Sequence, residues 1–240
     1  MTDFGERIKL SYFDIQGVAE RIRLAFVLQG IDFEDHRVAF PEWGAMKATT
    51  KFGQLPEMQI GSETITQSEP MLRYAAALPG KCPGLMPTEP RAALAVNEAL
   101  AMAGDFDREW MPSLYIGMRP TAYGYPAEFA GTEEHKALVK KMRTDFVAEG
   151  GALDKWMAHY ENQLGDNKFM CGNTVTIVDC HMVPQLAKYR AGFIDHIPAD
   201  CLDKFPKITA YLERFLSIDE VKAYYAAQAA AKAAKAAAAK

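Results

Sequence analysis

A break between Leu78 and Pro90 constrains this chain more than any other feature. The run LPGKCPGLMPTEP holds Pro79, Pro83, Pro87 and Pro90 together with Gly80 and Gly84. Proline removes a backbone donor and fixes φ, while glycine costs more entropy to order, so neither helix nor strand survives such a density. The hydrophobic pattern also changes across the break. Before it, short alternating runs are interleaved with helical ones; after it, only helical spacing recurs. The chain must therefore join a small α/β unit to a larger all-helical one.

In the first unit, residues 7–13 (RIKLSYF) alternate, with Ile8, Leu10 and Tyr12 on one face, and read as a strand. A helix opens at Gly17, repeats apolar residues at Val18, Ile22, Ala25 and Phe26, and closes at Gly30. A second strand follows near 33–38. Two short strands near 57–60 and 64–66 flank a Gly61-Ser62 turn, and a helix spans 67–77, with Pro70 in its first turn. The helical crossover makes the first strand pair parallel and the hairpin makes the last pair antiparallel, so the sheet is mixed and four-stranded.

Beyond the break, helices are predicted at roughly 91–115, 132–164, 179–191 and 204–226, with Gly150-Gly151 placed to bend the second. An aromatic-rich loop covers 117–131. Thr176 and Asp179 have capping-box spacing. The division expected is thus 1–80, a linker at 81–90, a helical domain at 91–226, and an Ala/Lys tail at 227–240 read as a frayed helix with nothing large to bury.

Of the 240 residues, 49% are apolar and the net charge is −4, which gives no general attraction to nucleic acid or anionic membranes. No apolar run approaches the roughly 20 residues that span a bilayer. MTDFGERIK has no signal-peptide core, so a cytoplasmic location is expected. Cys82, Cys171, Cys180 and Cys201 are scattered, without CxxC or metal-ligand spacing, and read as reduced structural thiols. No metal or organic cofactor is implied.

Several residues remain that ordinary packing does not require in this order: Tyr12 in YFDIQGVAERIRL, Trp43 and Lys47, Gln54-Leu55-Pro56 in FGQLP, and Gln67-Ser68. Together with GNTVTIVD at 172–179 they resemble the cytosolic glutathione S-transferases. The similarity is greatest to the sigma class, which includes glutathione-dependent prostaglandin D synthases and lens crystallins, and it covers roughly residues 7–226. It implies a thioredoxin-like N-terminal domain, an all-α C-terminal domain and a homodimer, with glutathione as co-substrate and small apolar electrophiles as acceptors.

Within that resemblance Tyr12 donates a hydrogen bond to the glutathione sulfur. A free thiol has a pKa near 8.5, and lowering it by about 2 units needs roughly 2.7 kcal/mol of preference for the anion. Leu55, before a cis Pro56, offers its backbone to the peptide like an added strand. Ser68 and Gln67, at a helix start, take the γ-glutamyl end; an N-cap role for Ser68 is the plainer alternative. Trp43 and Lys47 bracket the glycine carboxylate, and Gln54 lines the cysteinyl end. Asp105 comes from the partner subunit, with Asp107 a close competitor. Phe13, Trp110, Tyr115, Tyr123 and Tyr125 are the candidate lining of the electrophile pocket.

One position departs from the resembled pattern. Many sigma-like chains carry an arginine six residues after the tyrosine, where this chain has Val18. Gln16 and Arg21 lie nearby, but a helical Arg21 need not point the same way. Without a replacement cation, the phenol is less acidic and the thiolate less favoured. Glutathione-dependent isomerisation, hydroperoxide reduction and a non-catalytic, crystallin-like scaffold are the rival functions.

Overall fold

The computed structural model describes residues 6–238. Strand β1 (Ile8–Phe13) turns Ile8, Leu10 and Tyr12 inward, as alternation requires. A 3₁₀ turn at Gly17–Ala19 leads into α1 (Glu20–Gln29), which ends at Gly30 in the left-handed conformation, φ 67°. There the missing side chain removes the steric cost. Strand β2 (Glu34–Val38) pairs parallel to β1, with Tyr12 opposite Arg37.

The hairpin β3 (Glu57–Ile60) and β4 (Glu63–Thr66) completes a sheet of order β2-β1-β3-β4, with β3 antiparallel to both neighbours. Helix α3 (Ser68–Ala77) follows. The mixed four-stranded sheet predicted from the pattern is therefore present.

A short helix, α2 (Phe40–Met46), continued by a 3₁₀ turn over Lys47–Thr49, was not legible in the sequence. It buries no residue and holds Pro41 and Gly44, so no periodic apolar stripe announces it.

The helical layer begins with α4 (Pro90–Met118), whose buried Val96, Ala99, Leu100, Ala103, Phe106 and Trp110 form one stripe. The predicted helix at 132–164 is two helices, α5 (Glu133–Val147) and α6 (Ala152–Leu164), because the chain stops being helical at Ala148 and turns through Gly150-Gly151. Helix α7 (Ile177–Arg190) is buried almost all round and packs against α1, α4 and α8. At its start the Asp179 carboxylate accepts the Thr176 N–H (2.7 Å) and hydroxyl (3.1 Å), the Met170 N–H (3.1 Å) and the Tyr211 hydroxyl (2.9 Å).

The last predicted helix is likewise two, α8 (Pro206–Leu216) and α9 (Asp219–Ala238). The Ala/Lys tail continues α9 without a break through Ala238. Buried Val221 and the packed Tyr224 and Tyr225 anchor its first turns, so the nucleation cost is already met and alanine propagates the helix.

The segment before α4 is irregular yet tightly held. The Lys81 N–H donates to the Gln29 carbonyl (2.9 Å) and the Cys82 N–H to Gln29 Oε1 (3.0 Å). Leu85 is fully buried, and its carbonyl accepts the Ile177 N–H at 2.9 Å. All four cysteines are free thiols. Among the described residues no helix is long and apolar enough to cross a membrane, and no three His, Cys, Asp or Glu side chains are grouped to hold a metal.

Candidate functional site

Tyr12 lies near the end of β1, only 8% exposed, with its ring edge against Phe13. Its hydroxyl reaches the turn that follows, close to Gly17 and the Val18 backbone N–H. Gly17 makes that approach possible. An added Cβ there would sit 2.5 Å from the Tyr12 oxygen, and the residue's φ is +48°. Burial raises the Tyr12 pKa above the ordinary phenol range, with the Val18 N–H and the charges of Arg23 and Arg21 opposing it. The group is therefore a neutral phenol at physiological pH. Its O–H remains able to donate.

The turn is held from below by Arg23. Its side chain is fully buried, donating to the carbonyls of Ile15 (2.9 Å) and Gln16 (3.2 Å) and to the carboxylates of Glu20 (3.0 Å) and Asp35 (2.9 Å). Its guanidinium carbon is 5.9 Å from the Tyr12 ring centroid. A buried cation with two carboxylates and two carbonyls is strongly committed to this geometry. Gly17 and Arg23 are the two supporting residues the sequence reading missed. The available signal was Arg23's position on the same helical face as Ala19, Ile22 and Phe26, where an unpaired charge would be prohibitive.

Val18 also lines a cleft of about 170 Å³ together with Gln54, Leu55, Pro56, Gln67 and Ser68. Five of the residues selected from the sequence are thus brought into one recess, adjoining the turn that the Tyr12 hydroxyl reaches. The Leu55–Pro56 peptide bond is cis. Gln67 has φ 75° and ψ 118°, an unfavoured conformation for a side chain of its size, costing about 1–3 kcal/mol. Ser68 is the first residue of α3 and Gln67 is the cap, so Ser68 is not the N-cap that the plainer alternative expected. No side chain caps this helix start, so its first N–H groups have no side-chain acceptor.

Trp43 and Lys47 sit on α2 and the turn beyond it. Trp43 packs edge-on against Phe13 at 5.4 Å, and Phe13 stacks on Phe40 at 4.9 Å. The Lys47 stem passes over Gly53, one residue before Gln54.

The proposed electrophile lining is divided by the structure. Phe13 and Tyr115 are half-buried, and Tyr115 is near enough to raise the Tyr12 pKa. Tyr123 is 44% exposed, and Tyr125 stacks on Phe129 at 4.4 Å. Trp110 departs from the expectation. It is 2% exposed, in contact with Phe146 (5.2 Å) and Tyr189 (5.3 Å), so its indole fills the helical core and presents no face to a cleft.

The two candidate aspartates also separate. Asp107 faces inward to His181 (3.2 Å) and Arg21 (3.8 Å). Asp105 pairs with Arg108 within α4 and keeps its side chain 45% exposed, so Asp105 is the one available to another molecule.

Three comparisons place the chain among known proteins. The family described as "Glutathione S-transferase, C-terminal domain" matches residues 127–228. Glutathione S-transferase 4 of Caenorhabditis elegans is 29% identical over 219 residues, 91% of this chain and 95% of that protein. The hematopoietic prostaglandin D synthase of Gallus gallus is 26% identical over 222 residues, 90% and 94% of the two chains. Among solved structures, a monomeric glutathione S-transferase of the hookworm Necator americanus superposes with a TM-score of 0.73 at 25% identity. That match covers 92% of this chain and 97% of the other.

Proposed function

We propose that this chain is a glutathione S-transferase, as its similarity to that family supports, and that it ionises the glutathione thiol with the Tyr12 hydroxyl and directs the thiolate at small apolar electrophiles. Glutathione is the co-substrate. The observation that carries this reading is that the buried, neutral Tyr12 phenol lies against the Gly17–Val18 turn, whose Val18 lines the recess with Leu55 and Ser68. A donor fixed by the fold stabilises the sulfur anion without reorganising when the thiol loses its proton.

The remaining assignments follow the recess. The Leu55 backbone pairs with the cysteinyl peptide, and Gln54 lies beside it. Ser68, Gln67 and the open start of α3 hold the γ-glutamyl carboxylate. Lys47, with Trp43, meets the glycine carboxylate. Asp105 extends to the γ-glutamyl ammonium of a partner subunit in a homodimer. Phe13 and Tyr115 form the apolar wall against which the electrophile rests.

The test replaces one oxygen atom. In Tyr12→Phe the bound thiol loses its donor, and its pKa rises by about 2 units, equivalent to roughly 2.7 kcal/mol. Turnover of chlorodinitrobenzene at pH 6.5 should fall accordingly, while retention on immobilised glutathione persists. Undiminished turnover refutes the assignment. Prostaglandin endoperoxide isomerisation, the activity carried in the name of the Gallus gallus relative, would use the same thiolate; product analysis separates it from conjugation.

A further inference from the structure

Lys188, near the end of α7, is an amine without an acceptor. Among the described residues it makes no hydrogen bond and no ion pair. Its Nζ lies instead over two ring faces, 4.9 Å from the centroid of Tyr189 and 5.4 Å from that of Trp110 on α4. Both rings are buried, whereas Lys188 is half-buried. The Tyr189 hydroxyl is sealed in without a partner; the Lys188 amine is not sealed. A nitrogen that a solute can reach therefore sits at the edge of an aromatic wall.

The surrounding charges do not neutralise it. Lys188 follows His181 by seven residues, two turns along the same face of α7. The carboxylate that acts on it, Asp107 on α4, is turned to His181 (3.2 Å) and Arg21 (3.8 Å) and makes no ion pair with the amine. Arg21 on α1 repels the ammonium, and Arg143 on α5 brings a second cation to the Trp110 indole, 5.9 Å from its centroid. Ring faces attract a cation, yet they replace only part of the water that an ammonium sheds on burial. Burial, opposed by Asp107 and reinforced by Arg21, pulls the Lys188 pKa down to about 8. At pH 7.5 roughly a quarter of it is then neutral amine, against about one part in a thousand for an ordinary lysine.

A neutral amine against aromatic faces is a nucleophile beside an apolar binding surface. We propose that Lys188 captures small apolar aldehydes as imines, at a place on the helical layer outside the recess lined by Val18, Leu55 and Ser68. Nζ adds to the carbonyl carbon, and the oxygen takes the first amine proton to give a carbinolamine. The C–O bond then breaks, and the oxygen leaves as water with the second amine proton. No oxidant or reductant enters, and the step stands apart from the reading of Tyr12. An aldehyde is the class that fits. Its carbonyl carbon is uncrowded, its apolar substituent lies against the rings, and the reaction consumes the neutral amine that the Arg21 charge favours.

The test incubates the full chain with benzaldehyde or with propanal, in each case with sodium cyanoborohydride to fix the imine as a secondary amine, and maps the adducts by peptide mass. At pH 7.5 Lys188 should label at least about tenfold faster than the exposed Lys136 and Lys141. Taken as a ratio to those two, so that the reagent's own pH dependence cancels, the advantage should be level below about pH 8 and fall above it. Above that point Lys188 is fully deprotonated while the surface lysines go on gaining free amine. In guanidinium chloride the advantage should vanish, because it belongs to the fold. Lys188 labelling no faster than the two surface lysines with either aldehyde, a ratio that is flat through pH 9.5, or a lead that survives unfolding each overturns the proposal.

Discussion

Replacing Gly17 by alanine should disable the site without replacing any residue assigned to meet substrate. The new Cβ would lie 2.5 Å from the Tyr12 oxygen, 2.6 Å from Cε1 and 2.9 Å from Cζ. Ordinary contact begins at 3.4 Å, so the hydroxyl must retreat by about 0.9 Å. The ring cannot swing freely, because it is buried between Phe13 and the Arg23 guanidinium. A displacement of about 1 Å in a catalytic group costs on the order of 10²-fold in rate. The φ of +48° adds about 1–2 kcal/mol of strain for an L side chain.

Gly17→Ala should therefore show a modest loss in urea midpoint and a loss of kcat with chlorodinitrobenzene near 10²-fold, at little cost in glutathione KM. The double variant Gly17→Ala with Tyr12→Phe supplies the check. With the oxygen already gone, the alanine should reduce kcat by less than about twofold more. A single variant that keeps half of the parent kcat, or a double variant whose losses multiply, would show that the Tyr12 oxygen is not placed by this turn.

Two further outcomes follow from buried polar groups. Burial first, and then the Arg21 charge, lower the His181 pKa below its ordinary value near 6.5, with Asp107 partly opposing. The neutral imidazole thus contributes stability in full above about pH 6.5, and that contribution is lost as pH falls through the lower, folded-state value. Urea midpoints measured from pH 7.5 to 5 should fall less steeply in His181→Gln, and parallel slopes would contradict it. Asp179→Ala would strip acceptors from the Thr176, Met170 and Tyr211 donors. At about 1–3 kcal/mol for each buried donor left unpaired, the loss should be at least ~3 kcal/mol; an equilibrium unfolding curve showing under ~1 kcal/mol would mean water takes over those bonds.

The strand residues and the recess could be read from the sequence because their signals are local. Alternation put Tyr12 inside with Ile8 and Leu10, and the cleft residues flank hairpin and helix boundaries that Gly, Pro and Ser mark. Residues whose role depends on distant partners were less legible. Trp110 looked like a pocket aromatic because its core neighbours, Phe146 and Tyr189, come from α5 and α7. Arg21 was left open because the groups that orient it, Asp107 and His181, are 86 and 160 residues away. Helix α2 gave no signal since it buries nothing. The tail was underestimated for the opposite reason: its anchors, Val221, Tyr224 and Tyr225, lie ahead of the low-complexity run and owe their hold to tertiary packing.

The irregular stretch at Lys81–Leu85 reads as a flexible tether but is riveted at both ends, to Gln29 on α1 and to Ile177 on α7. Gln29 in turn grips the Ala76 carbonyl at 2.8 Å, so the seam binds three helices at once. Swinging the sheet-bearing part against the bundle would have to tear these bonds and expose Leu85. The recess beside Tyr12 is therefore carried on a body whose two parts stay locked together, and nothing in this seam yields when a ligand arrives.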